Sequence, residues 1–546
     1  MRKLCSGLIV IVLFLFSCGE KKNAAKRGLV FNYNEMNGLG SLDPATAGNF
    51  ENIWPVNQLF NGLVQLDDSL NVIPCIARTY VISEDGLRYR FFLRNDVYFH
   101  NDSCFKNGRG RKVLAEDFVF SFLRLYNSKV SSALSLMSHF ELGKNGERKG
   151  LLAINDSTLE LRLSKPFNAF LSLLSMKYFS VIPHEAIRHY GDDFRKHPVG
   201  TGPFQFKHWE EGTKLVMLKN ENYFETDSKG ERLPYLDAVT VSFIRDRETA
   251  FMELLNGKFD MLSGADAFNI NEVLDKEGNL RELYQTKFFL QKHTFLKTDY
   301  IGILVDSGSA LVKHSPLRLK QVRKAINYAF DREKLIRFLR NKIGTPATAG
   351  FIPKGSKSYD PLVVKGYSYD ADKVKTLLLE AGYPGGVGLP ELTIHITDSY
   401  KEQAEFIQSQ LAENNIKVNI SVEKTSILRQ AVNNGDYLLF KKSWFCDYAD
   451  DENFMSLFYS KNFSPEGVNF FRYKNDLFDS YYEEAISVND DQRRKQLFNR
   501  MDSLIIEDAP CIPLYYDEVI RLVRHNVKGL GINAMNLLNL KTVRKD

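Results

Sequence analysis

The chain is 546 residues long, with 72 Lys and Arg against 67 Asp and Glu, and carries a formal charge of +5. Its 44% hydrophobic and 25% charged residues, with only 35 Gly and 17 Pro, exclude a disordered, collagenous or coiled-coil protein. Six cysteines in this length exclude a small disulfide-framework protein. The length predicts several domains, or one large architecture with inserted pieces.

The positive charge lies at the amino terminus. Removing the six basic residues and one acidic residue of positions 1–27 leaves 66 residues of each sign from Gly28 onward. Proteins that bind nucleic acids need a clustered basic surface to neutralise phosphates. The body of this chain is formally neutral and has no run rich in Lys and Arg, so we expect no nucleic-acid partner.

The first 17 residues have the pattern of a signal peptide. Two basic residues follow Met1, and the apolar stretch Leu8–Phe16 has nine residues, whereas a membrane-spanning helix needs about 20. The stretch ends at Leu15-Phe16-Ser17-Cys18, which resembles the bacterial lipobox, and in lipoproteins that cysteine is diacylated. We therefore predict lipid attachment at Cys18 and a polar tether over residues 18–27. The alternative is a plain secretory signal in which the cysteine is incidental.

The rest of the chain is predicted to be exported and held at a membrane facing the periplasm or the cell exterior. No later stretch approaches 18 consecutive apolar residues, so no transmembrane helix is expected. The remaining cysteines would lie in a compartment that permits disulfides. Cys75, Cys104, Cys446 and Cys511 allow three complete pairings, and their spacing does not choose among these.

In chain order, strand-like and helix-like segments alternate, which is typical of an α/β protein. Period-two alternation predicts strands, and helical periodicity predicts helices. The predicted strands are Arg88–Leu93, Thr158–Leu163 and Leu392–Ile396, and the predicted helical segments are Val322–Leu339, Ala371–Leu379 and Arg493–Ile506. Because no Pro- or Ser-rich linker separates these segments, the domains are expected to interlock.

The sequence gives little support for an enzyme. His184 and His189 resemble a zinc-protease motif but stand five residues apart, so on a helix they would point about 140° apart and could not share one metal. The sequence contains no nucleophile elbow, phosphate-binding loop or dinucleotide fingerprint. The acidic pair Asp450-Asp451 has no accompanying nucleophile. We therefore predict no catalytic residues, no cofactor and no metal.

Short motifs spread over most of the chain occur in a fixed order. The early motifs are Ser41-Leu-Asp-Pro-Ala45, Asn61-Gly-Leu-Val64, Ala77 to Phe99 and Ala115-Glu-Asp-Phe-Val-Phe120. The later motifs are Pro198-Val-Gly-Thr-Gly-Pro-Phe204, Lys219-Asn-Glu-Asn-Tyr-Phe224, Val322 to Asp331, Trp444 to Asp450 and Pro510-Cys-Ile-Pro-Leu514. By their number and order, the chain resembles the extracytoplasmic solute-binding proteins of peptide ABC importers, the oligopeptide- and dipeptide-binding members of solute-binding protein family 5.

The resemblance implies a two-lobed α/β fold of the large, type II periplasmic-binding-protein class, with an extra domain inserted in lobe I. The implied boundaries are 28–45, 199–290 and 518–546 for lobe I, 46–198 for the inserted domain, and 291–517 for lobe II. Ligand would lie between the lobes and be enclosed when they close.

The resemblance also implies which residues contact the ligand. A free peptide carries an ammonium and a carboxylate, and a closed site must pair each charge because an unpaired buried ion costs several kcal/mol. Asp447 matches the family's aspartate that binds the ligand ammonium. Trp444 would supply an apolar wall, and Lys441 matches a position where some relatives pair a basic residue with the ligand carboxylate.

Two further residues complete the predicted site. Asn469 would bond the ligand backbone, and Tyr448 follows the amine anchor directly. The family places a proline where this chain has Asp451, so the loop after Asp447 is expected to differ. Four of the five residues also have a structural explanation, which is a surface turn for Asp447, core packing for Trp444, a solvated side chain for Lys441 and a turn for Asn469.

The sequence therefore predicts a monomeric, membrane-anchored lipoprotein that captures peptides and delivers them to an ABC permease. One alternative keeps the fold but changes the ligand to a nickel chelate, haem, opine or oligosaccharide. A second alternative is a signalling receptor that takes no part in transport.

Overall fold

The computed structural model of the protein describes residues 28–546, except residues 128, 132, 144–146 and 265–266. The predicted signal peptide, the tether and Cys18 lie outside this range. Within it, no helix has the length and apolar character needed to cross a membrane.

The amino-terminal third begins with a strand of the main sheet and continues into a region with its own sheets. Its strands are β1 (Val30–Asn34), β2 (Val64–Leu66), β3 (Val72–Pro74), β4 (Ala77–Ile82), β5 (Arg88–Leu93), β6 (Leu151–Asn155) and β7 (Thr158–Arg162). Its helices are α1 (Phe50–Leu59), α2 (Ala115–Arg124), α3 (Phe170–Leu174) and α4 (His184–Tyr190). β4, β5, β7 and β6 form a separate four-stranded antiparallel sheet, in that order.

The middle of the chain returns to the main sheet. Its strands are β8 (Phe204–Glu210), β9 (Lys214–Lys219), β10 (Ala238–Ser242), β11 (Met261–Ser263), β12 (Phe288–Ile303) and β13 (Thr345–Pro346). Its helices are α5 (Arg247–Leu255), α6 (Ile270–Val273), α7 (Glu282–Gln285), α8 (Ala310–Lys313), α9 (Lys320–Tyr328) and α10 (Arg332–Leu339).

The carboxyl-terminal part completes the second half of the molecule and then crosses back. Its strands are β14 (Leu392–Ile396), β15 (Val418–Val422), β16 (Leu439–Phe445), β17 (Cys511–Arg524), β18 (Val527–Lys528) and β19 (Arg544–Lys545). Its helices are α11 (Ala371–Glu380), α12 (Lys401–Ala412), α13 (Thr425–Asn434), α14 (Glu452–Met455), α15 (Asp476–Ala485) and α16 (Asp491–Asp508).

The main sheet has eleven strands and spans both halves of the molecule. The strand order is β15-β14-β16-β12-β17-β11-β1-β10-β9-β8, with β13 paired to β17 off this path. We call the part built around β1 and β8–β11 the first lobe and the part built around β14–β16 the second lobe. The domain boundaries within the first lobe stay a prediction.

Two long antiparallel strands, β12 and β17, connect the lobes. They pair from Phe288 with Arg524 to Gly302 with Cys511, and the register shifts between Thr294 and Thr298 and again between Asp299 and Tyr300. Such irregularities bend a strand and interrupt its ladder of hydrogen bonds. The irregular stretch lies where the two lobes meet, so it is the natural position for a hinge between them.

Most of the predicted elements are confirmed. β5 and β14 have the predicted bounds, and β7, α11 and α16 differ from the prediction by a few residues at their ends. The periodic segment Val322–Leu339 is two helices, α9 and α10, because Asp331 leaves the helical conformation and caps α10 by accepting a hydrogen bond from the Lys334 amide.

The four cysteines of the described residues are free thiols. Cys75, Cys446 and Cys511 are buried, and Cys104 is partly buried. None of the three pairings that the sequence left open is formed.

Candidate functional site

A cavity lies between the lobes, lined by segments that are distant in sequence. Phe50 comes from α1 and Lys177 from the turn after α3, whereas Phe445 and Asp447 come from the end of β16. Met535 and Leu537 of the carboxyl-terminal segment complete the wall. The Phe50 ring is 4.9 Å from the Phe445 ring and 5.9 Å from the Phe295 ring of β12, both measured between centroids. The cavity therefore lies beside the crossing strands.

Asp447 is two residues beyond the end of β16, and its side chain faces the cavity. It is exposed to the solvent of the cavity. The surrounding protein nevertheless desolvates the carboxylate and raises the pKa of Asp447 to about 6. Among the described residues, none places a basic nitrogen within 4.0 Å of this carboxylate. Within the described part of the chain, Asp447 is thus a carboxylate without a cationic partner.

Asn453, which the sequence analysis missed, holds Asp447 and Trp444 together. The Asn453 side-chain oxygen accepts hydrogen bonds from the Trp444 indole at 2.9 Å and from the Asp447 backbone amide at 3.2 Å. The Asn453 side chain also bonds the Asp447 carboxylate, which moderates the rise of its pKa. Asn453 lies in the one-turn helix α14, and no sequence motif distinguishes it from other asparagines.

Trp444 is partly buried and pairs across β16 and β12 with Thr298. Its indole packs against the core of the second lobe, with the ring centroid 6.5 Å from that of Phe470. Through the shared Asn453 oxygen, the indole is linked to the backbone of the loop that carries Asp447. The predicted ligand contact by Trp444 stays a prediction.

Lys441 is buried in an ion pair and does not line the cavity. Its ammonium is 2.6 Å from Asp299, a side chain with 0% exposure. Asp299 also contacts Lys297 at 3.1 Å, and Lys297 contacts Asp517 at 2.8 Å. The Arg340 guanidinium forms a further ion pair with the Asp517 carboxylate. This ion-pair network occupies the irregular stretch of β12 and β17, so the geometry assigns Lys441 to the junction of the lobes and gives no support to a ligand contact.

The charges in this network stabilise one another. Burial alone would raise the pKa of the Asp299 carboxyl, but the ammonium groups of Lys297 and Lys441 hold it well below its usual range. The carboxylates of Asp299 and Asp517 likewise raise the pKa of Lys297 despite its burial. The Asp299 carboxylate and the Lys297 ammonium are therefore both ionised around neutral pH.

Tyr448 and Asn469 are also engaged within the protein. The buried Tyr448 hydroxyl donates to Glu452, which accepts a second hydrogen bond from Tyr482. Asn469 is fully buried, and its amide donates to the carbonyl oxygens of Tyr459 and Tyr473 at 3.1 and 2.9 Å. Neither side chain reaches the cavity, so the structure brings only Asp447 of the five predicted residues to its wall.

Tyr448 belongs to a contact between the lobes on one side of the cavity. Its ring centroid is 6.5 Å from that of Phe167. The Asn168 side chain donates to the Val488 carbonyl at 3.2 Å, and the Ser172 hydroxyl donates to the Ala449 carbonyl at 3.4 Å. The segment before and within α3 therefore touches the second lobe and closes this side of the cavity.

The two histidines with near-protease spacing do not form a metal site. His184 and His189 both lie on α4, and the Glu185 carboxylate between them is paired with Arg111 at 2.6 Å. Among the described residues, no group of three or more His, Cys, Asp or Glu side chains is arranged to hold a metal ion.

Two lobes joined by crossing strands, with a cavity between them and an unpaired carboxylate in its wall, define a ligand-binding protein that encloses a small solute. A sequence profile of the bacterial extracellular solute-binding proteins, family 5, matches residues 71–465. The chain belongs to this family. It is an extracytoplasmic solute-binding protein and not an enzyme.

Relatives and solved structures agree with this assignment. The glutathione-binding protein GsiB of Salmonella choleraesuis strain SC-B67 is 26% identical over 505 residues, which is 90% of each chain. The periplasmic binding protein DppA of Helicobacter pylori, solved with the peptide STSA, is 26% identical with a TM-score of 0.78, covering 95% of this chain and 98% of its own. The oligopeptide-binding protein OppAIV of Borrelia burgdorferi is 25% identical with a TM-score of 0.74, covering 95% and 100%.

The placement of Lys441 leads to a stability prediction. Replacing Lys441 with Met removes one of the two cations around the buried Asp299, so we expect the free energy of unfolding to fall by about 3 kcal/mol. Urea denaturation monitored by circular dichroism measures this change in the free energy of unfolding. The control is Lys461→Met, because its ion pair with Glu483 is exposed to solvent and should contribute nothing measurable. An unchanged stability in Lys441→Met would refute the structural role of the ion pair.

Proposed function

We propose that this protein captures peptides in the cavity between its lobes, binding the peptide ammonium through Asp447, and delivers them to an ABC importer. The unpaired Asp447 carboxylate is the observation that carries the proposal. A carboxylate without a partner in a confined site is destabilised until a cation reaches it. The free amino terminus of a peptide supplies that cation.

The surroundings of Asp447 suit the backbone of a peptide and its varied side chains. Apart from two charged residues, the described cavity wall is formed by apolar and small polar residues, including Phe50, Ile53, Leu136 and Met535. Such a wall accepts side chains of different kinds without demanding one in particular. The similar proteins DppA, solved with a peptide, and GsiB, a glutathione-binding protein, support the same class of ligand.

We also propose that the protein is anchored through Cys18. The lipobox-like residues Leu15 to Cys18 and the polar residues 19–27 support a lipid anchor with a short tether. A tethered binding protein remains close to a permease in the same membrane, which raises the effective concentration of its ligand there.

The first functional prediction concerns Asp447. Degenerate libraries of di- to pentapeptides should raise the melting temperature of the wild type by several degrees, because the ligand binds only the folded state. Asp447→Asn should abolish this rise. The variant should also melt at a higher temperature than the unliganded wild type at pH 7, because ionised Asp447 is disfavoured in the folded state. Differential scanning fluorimetry measures both changes.

Glu466→Gln serves as the control, because Glu466 is exposed and outside the cavity. It should leave the peptide-induced shift unchanged. A wild type that shows no shift with any library would contradict the proposed function, and an Asp447→Asn variant with the full shift would contradict the role of this carboxylate.

The second functional prediction concerns pH. The pKa of Asp447 is raised to about 6, so the carboxylate is ionised at pH 7 and mostly protonated at pH 5. Because only the ionised form pairs with an ammonium, affinity for peptides should fall about tenfold between pH 7 and pH 5. Isothermal titration calorimetry over this range measures the change. A peptide affinity of the wild type that stays the same from pH 7 to pH 5 would show that binding does not depend on the ionisation of Asp447.

A further inference from the structure

The described wall of the cavity contains two charged side chains of opposite sign. One is Asp447, and the other is Lys177. No salt bridge within 4.0 Å joins them, and they come from different lobes. A cavity that holds one anion and one cation apart is complementary to a ligand that carries both charges.

Lys177 is the first residue of the turn Lys177–Phe179 that follows α3. It is the one charged residue in the apolar stretch from Phe170 to Pro183. Among the described residues, no carboxylate lies within 4.0 Å of its ammonium, and no hydrogen bond to it is found. Desolvation lowers the pKa of Lys177 to about 8. Lys177 therefore has no anionic partner among the described residues, just as Asp447 has no cationic partner among them.

The other lysines near the cavity are already neutralised. Lys541 contacts the Glu225 carboxylate at 2.5 Å and the Gln65 side-chain oxygen at 2.9 Å. Lys441 is bound to Asp299. Lys177 thus remains as the described basic group that faces the cavity and has no anionic partner.

A second, more polar cavity adjoins the first at Lys177. The two cavities share Leu66, Ser175, Lys177 and Leu537 in their walls. Asn57, Asn61 and Gln65 line the second cavity, and each already donates one amide hydrogen within the protein, so that one remains on each. Its acids are Asp67, which accepts hydrogen bonds within its own turn, and Asp68, whose negative charge is partly offset by Arg521. The Lys177 ammonium, with these remaining amide hydrogens near it, suits a carboxylate, which accepts several hydrogen bonds at once.

We propose that Lys177 binds the carboxylate of the peptide whose ammonium is held by Asp447, so that the protein selects short peptides with both termini free. This inference rests on the proposed function and names the ligand more narrowly. The apolar wall between Asp447 and Lys177 would then accommodate the side chains, while each end of the ligand meets a charge of opposite sign.

The test is a competition between peptides that differ at the carboxyl terminus. Equimolar di- to pentapeptide libraries, one with free carboxylates and one with carboxamides, are mixed with the full-length protein, and native mass spectrometry measures the ratio of bound acid to bound amide. We expect the wild type to prefer the acid at least tenfold, as a charge-assisted pair in a desolvated site should. Lys177→Met should reduce the ratio to about one, and Lys177→Arg should retain a preference for the acid.

Lys442→Met is the matched control. Lys442 is also partly buried with its pKa lowered by burial to about 8, but it lies over the Phe470 ring and outside both cavities. Lys442→Met should keep the wild-type ratio of bound acid to bound amide. This control shows whether a lower ratio in Lys177→Met comes from Lys177 itself or from the loss of any partly buried lysine.

The outcomes distinguish this inference from the proposed function. If acids and amides bind the wild type equally while binding still depends on Asp447, peptide capture stands and the role of Lys177 is overturned. The same holds if Lys177→Met keeps the preference for the acid. If the wild type binds neither library, the proposed function fails and this inference fails with it.

Discussion

The feature on which ligand binding is proposed to depend is one carboxylate in the cavity wall, that of Asp447, which has no cation beside it in the described part of the chain. Most of the protein's buried ionic groups have partners, as in the network of Lys441, Asp299, Lys297 and Asp517 at the junction of the lobes. Asp447 lies only a few residues from Lys441 in sequence but has no cation beside it. Desolvation disfavours an ion that has no partner of opposite charge, and groups with pKa values perturbed in this way cluster at functional sites. Under the proposed function, the ammonium of a bound peptide supplies the missing partner of Asp447.

The crossing strands connect this local chemistry to the movement of the lobes. β12 and β17 run through both lobes, and their register is irregular at the stretch that carries Lys297 and Asp299. The ion-pair network fixes this stretch from within, while the cavity lies beside it with Phe50 and Phe445 in its wall. A ligand that contacts both Asp447 and the opposite wall stabilises the closed arrangement more than the open one, which is the condition for closure to follow binding.

The sequence predicted the family and the type of six secondary-structure segments, such as β5, β14 and α11, because local motifs and local periodicity carry this information. It did not predict the partner of Lys441, since Asp299 lies 142 residues away and is brought close only by the pairing of β16 with β12. For the same reason the sequence did not indicate Asn453, because its contacts with Trp444 and Asp447 depend on how α14 packs against the end of β16. Lys177 did leave a signal, as a single charge within a long apolar stretch, but its neighbours alone do not show that it faces a cavity.

The central claim is that Asp447 recognises the ligand through its ammonium group. The most direct measurement is calorimetric titration of the wild type and Asp447→Asn with one peptide and its Nα-acetylated form, in which the charge is removed and the rest is kept. We predict that acetylation weakens binding to the wild type about 100-fold or more, as loss of a desolvated charge pair should, and that the two forms bind Asp447→Asn alike. Equal binding of the free and acetylated peptides to the wild type would contradict the account.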